Sequence, residues 1–299
     1  MNQMLSAIKT KIVDYYGLTK PGVMSLLLFT TFTAMMMAAG GVPSWRLALL
    51  TLLGGALASA SSAAINMYFD RDIDAQMKRT KTRPIPSGRV EPRHALAFGI
   101  VLGILAFVEL ALTVNLLAAM LSIAGILYYV FIYTVWLKRT TPQNIVIGGA
   151  AGSVPPLVGW AAVTNHIGIT ALLLFAVIFV WTPPHFWALA LLKKEEYRRV
   201  GIPMLPAVYG DDVTKRQILV YTIVLAALTL VFVPLHLMGV VYLASAILLD
   251  VAFFAFAIWV VRTGSPKSEG LMYRFSMLYL ALLFVAMAID RFGHGVSGS

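Results

Sequence analysis

The chain contains no cysteine and little charge. Missing thiols exclude disulfides, thiolate nucleophiles, cysteine-ligated clusters and covalent c-type haem attachment; they say nothing of redox compartment. Only 12% of the 299 residues are charged against 60% hydrophobic, and the mean hydropathy is +0.83. Soluble domains carry about 25% charged residues. This composition cannot cover a water-facing surface, so an integral membrane protein is expected. Long hydrophilic stretches are also missing. The two longest polar segments, 70–94 and 191–216, must act at the membrane face. The first twenty residues have neither an apolar core run nor a small-residue cleavage site, so no secretory signal is expected there. Within them Leu5, Ile8, Ile12 and Tyr16 recur at helical spacing, with Lys9 and Lys11 elsewhere on the wheel. That segment, 1–20, reads equally as an interfacial helix or a cytoplasmic tail.

What the chain does have is long apolar runs. A bilayer core takes roughly 20 apolar residues in a helix. Nine stretches qualify: 21–41, 45–69, 95–114, 116–137, 143–163, 168–190, 217–237, 239–261 and 271–290. The expected fold is therefore an all-α polytopic bundle of nine transmembrane helices. A single membrane domain fills 21–290, with a short tail at 291–299. Small residues crowd the second run (GGALASASSAA) and the fifth (GGAAGS), which suits central positions where helices approach closely. The connections alternate: those near 42–44, 115, 164–167 and 236–238 are short and carry no Lys or Arg, whereas 70–94, 138–142, 191–216 and 262–274 are basic. Of the 23 Lys and Arg residues, only Arg46 and Arg291 fall outside the N-terminal segment and the basic loops. The positive-inside rule then puts the N-terminus and those loops in the cytoplasm and the C-terminus outside, as in a cell (inner) membrane protein. Loops 70–94 and 191–216 lie four helices apart and each contains Ile-Pro (Ile85-Pro86, Ile202-Pro203). This suggests a degenerate repeat whose loops converge over one cavity. A nucleic-acid partner is not expected; the lipid bilayer is.

The second run ends in a dense knot of charge, NMYFDRDIDAQMKRTKTRPIPSG, residues 66–88. Asn66, Asp70 and Asp74 are spaced i, i+4, i+8. At 100° per residue each step drifts by about 40°, so all three share one helix face; Asp72 points elsewhere. An amide and two carboxylates on one face form a ladder of hard oxygens. Mg²⁺ favours such donors and binds through one or two carboxylates plus substrate phosphates. Cations follow at once: Arg71, Lys78, Arg79, Lys81, Arg83, Arg89 and Arg93. Carboxylates beside this many cations suit a metal carrying a polyanion such as diphosphate, whose remaining oxygens Lys and Arg would grip. Burying Asp in a membrane helix costs roughly 2.5–3.5 kcal/mol at the centre, and a metal would compensate. The plain alternative, a positive-inside loop with aspartates neutralising arginines, accounts for the basic residues but not for the ladder.

N-x-x-x-D-x-x-x-D after the second helix resembles the signature of the UbiA-type intramembrane prenyltransferases. DRDIDAQMKRTKTRPIPSG, LKRTTPQNIVIGGAAGSVPPLVGW (137–160), WTPPHFWALAL (181–191) and EYRRVGIPMLP (196–206) are similar to the blocks of its protohaem IX farnesyltransferase (haem O synthase) branch, and the likeness runs from about Thr19 to the ninth helix. The resemblance implies a nine-helix bundle with a central cavity open near the cytoplasmic face. It implies farnesyl transfer from farnesyl diphosphate to a vinyl group of haem b, giving haem O and diphosphate, with Mg²⁺ as cofactor at Asn66, Asp70 and Asp74. Haem-handling or terminal-oxidase assembly proteins are the partners that reading suggests. One departure stands out. Where many members carry a second aspartate-rich motif, this chain reads Lys193-Lys194-Glu195-Glu196-Tyr197-Arg198-Arg199. A second aspartate-held metal is thereby in doubt: Glu195 or Glu196 would hold a cation, or Lys193 and Lys194 the diphosphate directly.

Other residues are candidates on weaker grounds. Lys138 and Arg139 close the fourth helix on the cytoplasmic side and either reach the diphosphate or mark topology; Lys20, before Pro21, opens the first helix at the same face. Tyr68, Tyr128, Tyr129, Tyr133 and Trp136 offer ring faces that stabilise a carbocation. His185, after Pro183-Pro184 near the cytoplasmic end of the sixth helix, is the leading candidate to bind haem, with His94 behind it; His166, His236 and His294 fall near the outer face. Glu109 and Asp250 are intramembrane acids and so functional candidates, or else partners within the bundle. Two rivals remain. A transporter would place charge near mid-membrane; a prenyltransferase acting on another aromatic acceptor would carry aspartates near 193–197.

Overall fold

A computed structural model describes the backbone of residues 2–293 and the side chains of 9–291. The end of the expected tail, with His294, and the side chains of Leu5 and Ile8 lie outside the described residues. Twelve helices follow in order: α1 (Asn2–Leu18), α2 (Pro21–Ala39), α3 (Trp45–Phe69), α4 (Arg71–Gln76), α5 (Pro92–Thr113), α6 (Leu116–Thr140), α7 (Asn144–Thr164), α8 (Ile169–Leu192), α9 (Lys194–Arg199), α10 (Leu205–Leu230), α11 (Val240–Thr263) and α12 (Pro266–Gly293). Among the described residues nine of these are long and apolar enough to cross a membrane. The protein is a multi-pass membrane protein, and among the described residues α1, α4 and α9 are not long and apolar enough to cross a membrane.

The bundle closes on itself. α2 packs on α3, α7 and α12; α3 on α5; α7 on α6 and α8; α8 on α10 and α12; and α11 on α10 and α12. Helices approach most closely where side chains are smallest, because lipid supplies no hydrophobic drive and packing must do the work. At Gly159 of α7 a Cβ would collide with the backbone carbonyl of Thr31 on α2, and at Gly99 of α5 it would come within 2.6 Å of Ile65 Cγ1 on α3. The small-residue runs of α3 and α7 are indeed among the more buried segments: Ala58, Ala60, Ser61, Ala63 and Ala64 in one, Gly148, Gly149 and Ser153 in the other.

The seventh span differs from expectation. It was placed at 217–237, yet the helix runs Leu205–Leu230 and 231–238 are turns. Pro234 has no N–H to donate and disfavours helical φ/ψ at Val233, so the apolar run outlasts the helix. At the other end the charges Asp211, Asp212, Lys215 and Arg216 read as loop, but they lie inside the helix, whose first turns Gly210 (φ 84°) breaks.

Asp250, on α11, pairs inside the bundle. It is buried and accepts from Tyr279 Oη of α12 at 2.6 Å and from Thr229 Oγ1 of α10 at 2.7 Å, tying three helices together. Asp250→Ala strands the Tyr279 hydroxyl in a nonpolar interior, whereas Thr229 Oγ1 keeps Ala226 O at 2.8 Å. We expect a loss of about 1–3 kcal/mol, read as a lowered melting temperature in detergent, with Asp250→Asn close to wild type because it still accepts. Glu109 sits on α5 with Thr113 Oγ1 3.0 Å from Oε1, and its buried Oε2 packs over Gly54 of α3 without a hydrogen-bond partner.

Candidate active site

The charged knot straddles a helix end. α3 stops at Phe69, Asp70 caps it with φ −86° and ψ 4°, and α4 starts at Arg71. The register nevertheless carries through, because Asp70 N donates to Asn66 O at 2.9 Å and Asp74 N to Asp70 O at 2.8 Å. Two successive i→i−4 bonds keep Asn66, Asp70 and Asp74 on one face despite the break. That face points inward: the three residues are 3%, 1% and 3% exposed.

Three cations from three other segments meet it. Lys138 Nζ, at the end of α6, is 2.5 Å from Asp70 Oδ2. Arg83 Nη1, in the turns after α4, is 2.6 Å from Asp74 Oδ2. Lys20 Nζ donates to Asn66 Oδ1 at 2.5 Å. Asn66 Nδ2 then donates to Asp70 Oδ2 at 2.8 Å and to Thr134 Oγ1 of α6 at 3.0 Å, so the amide is oriented from all sides. Thr80 Oγ1 donates to the Asp74 carbonyl at 3.0 Å and helps fold the turns that present Arg83.

Backbone deviations sit where these side chains must be aimed. Lys20 is left-handed (φ 49°, ψ 61°) immediately before Pro21, an uncommon conformation for a residue with a Cβ and one usually tolerated where function requires it. Burial, with the Arg83 and Lys138 cations close by, pulls its ammonium from the ordinary lysine value down to about 7. In α6, residues Tyr128–Leu137 wind as a π-helix, a rarity often associated with functional sites. In an α-helix, residues five apart diverge by about 140°. The wider winding lets Thr134 Oγ1 reach back to Tyr129 O at 2.8 Å, and Thr134 and Lys138 both meet residues at the end of α3. Tyr129 and Tyr133 stack on this face, ring centroids 5.4 Å apart, with Asp70 among their electrostatic neighbours.

The second polar loop meets the first. Arg199 Nη2 of α9 donates to Gln76 O at the end of α4, 2.9 Å away. Each loop thus opens with a six-residue helix, and the two touch. Lys193 approaches Glu196 at 3.4 Å, Lys194 pairs with Asp211 at 2.6 Å, and Arg198 pairs with the exposed Glu195 at 2.9 Å. Glu196 Oε2 is buried without a partner, beside the buried Tyr197, whose phenol is pushed up by burial and has Arg79 and Arg83 for neighbours. Asp211 is the acid that sequence reading passed over; only its lysine partner, seventeen residues away, reveals it.

Among the described residues Arg71 makes no ion pair with the ladder, and Arg139 reaches it only at the edge of ion-pair range. Arg139 is bound by both Asp72 oxygens at 2.8 Å and by Phe69 O, with Asp70 Oδ1 3.9 Å away. The same pair holds the Asp72 carboxyl down to about 2, so it stays charged at neutral pH. Arg71 lies over the Tyr68 ring. Lys78 and Arg79 are exposed on the turns after α4. His185 is buried between the rings of Trp181 (centroids 4.3 Å) and Tyr273 (4.8 Å). His94 is a surface residue near Glu91.

The donor set can be tested for a cation. Among the described residues no cluster of three or more His, Asp or Glu would cage a metal alone. Two buried carboxylates and an amide remain, and Asp70 Oδ1 is buried without a hydrogen-bond partner. That fits Mg²⁺, which keeps most of its shell for water and substrate phosphates. Lys20, Lys138 and Arg83 stand beside the oxygens of Asn66, Asp70 and Asp74.

The model of the UbiA prenyltransferase family matches residues 27–287. The chain is 54% identical over 288 residues to the protoheme IX farnesyltransferase of Roseiflexus sp. (strain RS-1), covering 96% of this chain and 54% of that protein. It is 53% identical over 278 residues to that of Gloeobacter violaceus, covering 93% and 91%. The chain thus spans about half the length of the Roseiflexus and Chloroflexus relatives it matches. Among solved structures, a digeranylgeranylglyceryl phosphate synthase aligns at TM-score 0.79 and 18% identity over 96% of this chain and 99% of its own. A UbiA homolog from Archaeoglobus fulgidus bound to DMAPP and Mg²⁺ aligns at TM-score 0.64 and 18% identity over 92% and 99%.

Proposed function

The chain belongs to the UbiA prenyltransferase family, and we propose that it transfers a farnesyl group from farnesyl diphosphate to a vinyl group of haem b, yielding haem O and diphosphate. The observation that carries this reading is the inward ladder of Asn66, Asp70 and Asp74 flanked by Lys20, Lys138 and Arg83. The protoheme IX farnesyltransferases that resemble it over more than nine-tenths of its length supply the acceptor and the prenyl donor.

Asn66, Asp70 and Asp74 would hold Mg²⁺, which when bound neutralises charge building on the leaving diphosphate. Lys138 and Arg83 do the rest of that work as fixed cations, joined by Lys20 when it is protonated: they neutralise the oxygens as the allylic C–O bond breaks and its electron pair departs with the diphosphate. Such stabilisation accelerates because the charge develops in the transition state. The apolar bundle keeps water from the farnesyl cation, and the stacked Tyr129 and Tyr133 offer ring faces worth ~0.5–2 kcal/mol each. The vinyl π pair forms the new C–C bond; one water then adds to the resulting haem-side cation and loses a proton, leaving the hydroxyethyl group. Arg79, near Tyr133 and Tyr197, and Lys78 would be further cations for the diphosphate, and Glu196, with its buried unpartnered oxygen, is the second-loop acid that would take a cation.

For haem we propose His185. Ser276 Oγ donates to Tyr273 O at 2.7 Å and lies 2.6 Å from His185 Nδ1. Its one proton is spent, so Nδ1 carries the imidazole proton and Nε2 keeps a lone pair. His185→Ala is expected to weaken haem binding at least about tenfold, followed by Soret titration, with farnesyl diphosphate affinity unchanged; an unaltered titration rules the residue out. We place the chain in the cell membrane with its basic loops and N-terminus cytoplasmic and its C-terminus outside, on the strength of the Lys and Arg distribution. Haem-handling or terminal-oxidase assembly proteins would be its neighbours there.

Purified protein given farnesyl diphosphate and haem b is expected to release diphosphate and form haem O with Mg²⁺ and not with EDTA. Diphosphate release with 4-hydroxybenzoate but not haem would move the chain to another acceptor, and none with any acceptor would remove the enzyme reading.

A further inference from the structure

Arg71 and Asp72, on the flank and far side of α4 from the ladder, border a separate cavity. It has a volume of about 390 Å³ and is lined by Tyr68, Phe69, Arg71, Asp72, Val135 and Arg139. None of the three ladder residues lines it. Phe69 is the last residue of α3 and Arg139 lies in the last turn of α6, so the cavity opens where two membrane spans end. That is the depth of lipid headgroups.

The walls are of two kinds. Tyr68, Phe69 and Val135 are apolar, and the neighbouring Trp136 is 58% exposed, an aromatic at the boundary where such rings favour the interface. The polar side carries two guanidinium groups and one carboxylate, a net charge of +1. Arg139 is already committed to Asp72 and Phe69 O. Arg71 is different. It donates through Nη1 to Tyr68 O at 2.6 Å and lies 4.5 Å from the Tyr68 ring centroid, with no carboxylate partner. A guanidinium has five N–H donors, so most of Arg71's remain for a ligand, while Tyr68 holds the group in place.

We propose that this cavity binds the phosphodiester of an anionic membrane phospholipid, such as phosphatidylglycerol. The ligand's single negative charge matches the net charge of the lining. Its phosphate oxygens would meet the planar donors of Arg71, and its acyl chains would run along Val135 and Trp136 into the bilayer. Anionic lipids enrich the cytoplasmic leaflet, the side to which the basic loops are assigned. A free phosphate would satisfy Arg71 but leave the apolar wall uncovered. The site sits beside the Asp72–Arg139 pair, whose other neighbour is Asp70, so an occupied cavity buttresses the ladder from outside.

The test is native mass spectrometry of the full chain released from nanodiscs of phosphatidylcholine doped with phosphatidylglycerol. Wild-type protein is expected to retain one phosphatidylglycerol in preference to phosphatidylcholine, and Arg71→Ala/Arg139→Ala to lose that retention at least tenfold. Arg262→Ala/Lys267→Ala, which removes equal charge from another cytoplasmic loop, is expected to leave it intact. Equal loss in both double variants would mean diffuse attraction and would overturn the proposal, as would equal retention of the two lipids by wild type. Competition by glycerol phosphate at the same concentration would reduce the cavity to a simple anion site and overturn it too. Should Arg71→Ala/Arg139→Ala fail to fold, Arg71→Gln alone, which spares the Asp72–Arg139 pair, must still reduce retention.

Discussion

Asp70→Ala and Asp74→Ala are each expected to lower farnesyl transfer by about a thousandfold or more, with the protein still folded in the membrane. Each removes an inward carboxylate, and the effect has two sources. A hard-oxygen ligand is lost from a site that offers two carboxylates and an amide, and a buried cation loses its partner: Lys138 in the first variant, Arg83 in the second. Removing one stabilising group aimed at developing charge costs about 2.7–4 kcal/mol, or 10²–10³ in rate; losing metal affinity as well deepens it. Turnover at saturating Mg²⁺ measures the effect, and size-exclusion profile with melting temperature checks the fold. Near-wild-type activity in both variants would end the assignment of this face to metal and diphosphate.

Lys138→Met should cost about a hundredfold or more in kcat, whereas Arg139→Ala, one residue on, should cost less than about tenfold. The side chains are adjacent and alike in charge, but their partners differ. Lys138 turns inward, 14% exposed, onto Asp70; Arg139 turns outward and spends its donors on Asp72 and Phe69 O. Lys138→Met keeps the length of the chain and deletes only the charge. Similar losses in the two variants would contradict the inward and outward division of the pair, and steady-state kinetics with farnesyl diphosphate decides it.

The pair illustrates where sequence reading stops. Both residues close an apolar run at the same membrane boundary, so hydropathy gives them equal standing. The π-helix just before them has no marker in YYVFIYTVWL, because hydrogen-bond slippage in a span is set by what the helix packs against. Here that is the polar face of α3. Likewise Lys20 looked like a minor helix-opening cation, yet its left-handed backbone aims it at Asn66 across 46 residues. Asp211 gave no signal at all, since a lone acid in a charged loop acquires meaning only from the lysine it meets.

By contrast, the sharing of one face by Asn66, Asp70 and Asp74 was legible, because i, i+4 spacing is a local property that survives even the helix break at Asp70. The spans were legible for a related reason: a bilayer demands long apolar helices whatever their neighbours, and eight of the nine stretches overlie their helices closely. The seventh slipped because Pro234 and Gly210 act on backbone geometry rather than hydropathy. Composition and local periodicity thus gave the class of protein, the spans among the described residues and the shared face of Asn66, Asp70 and Asp74. Which cations join that face, and which turn to lipid, was decided by folding, since charge pairing between distant segments depends on distances that no stretch of chain carries within itself.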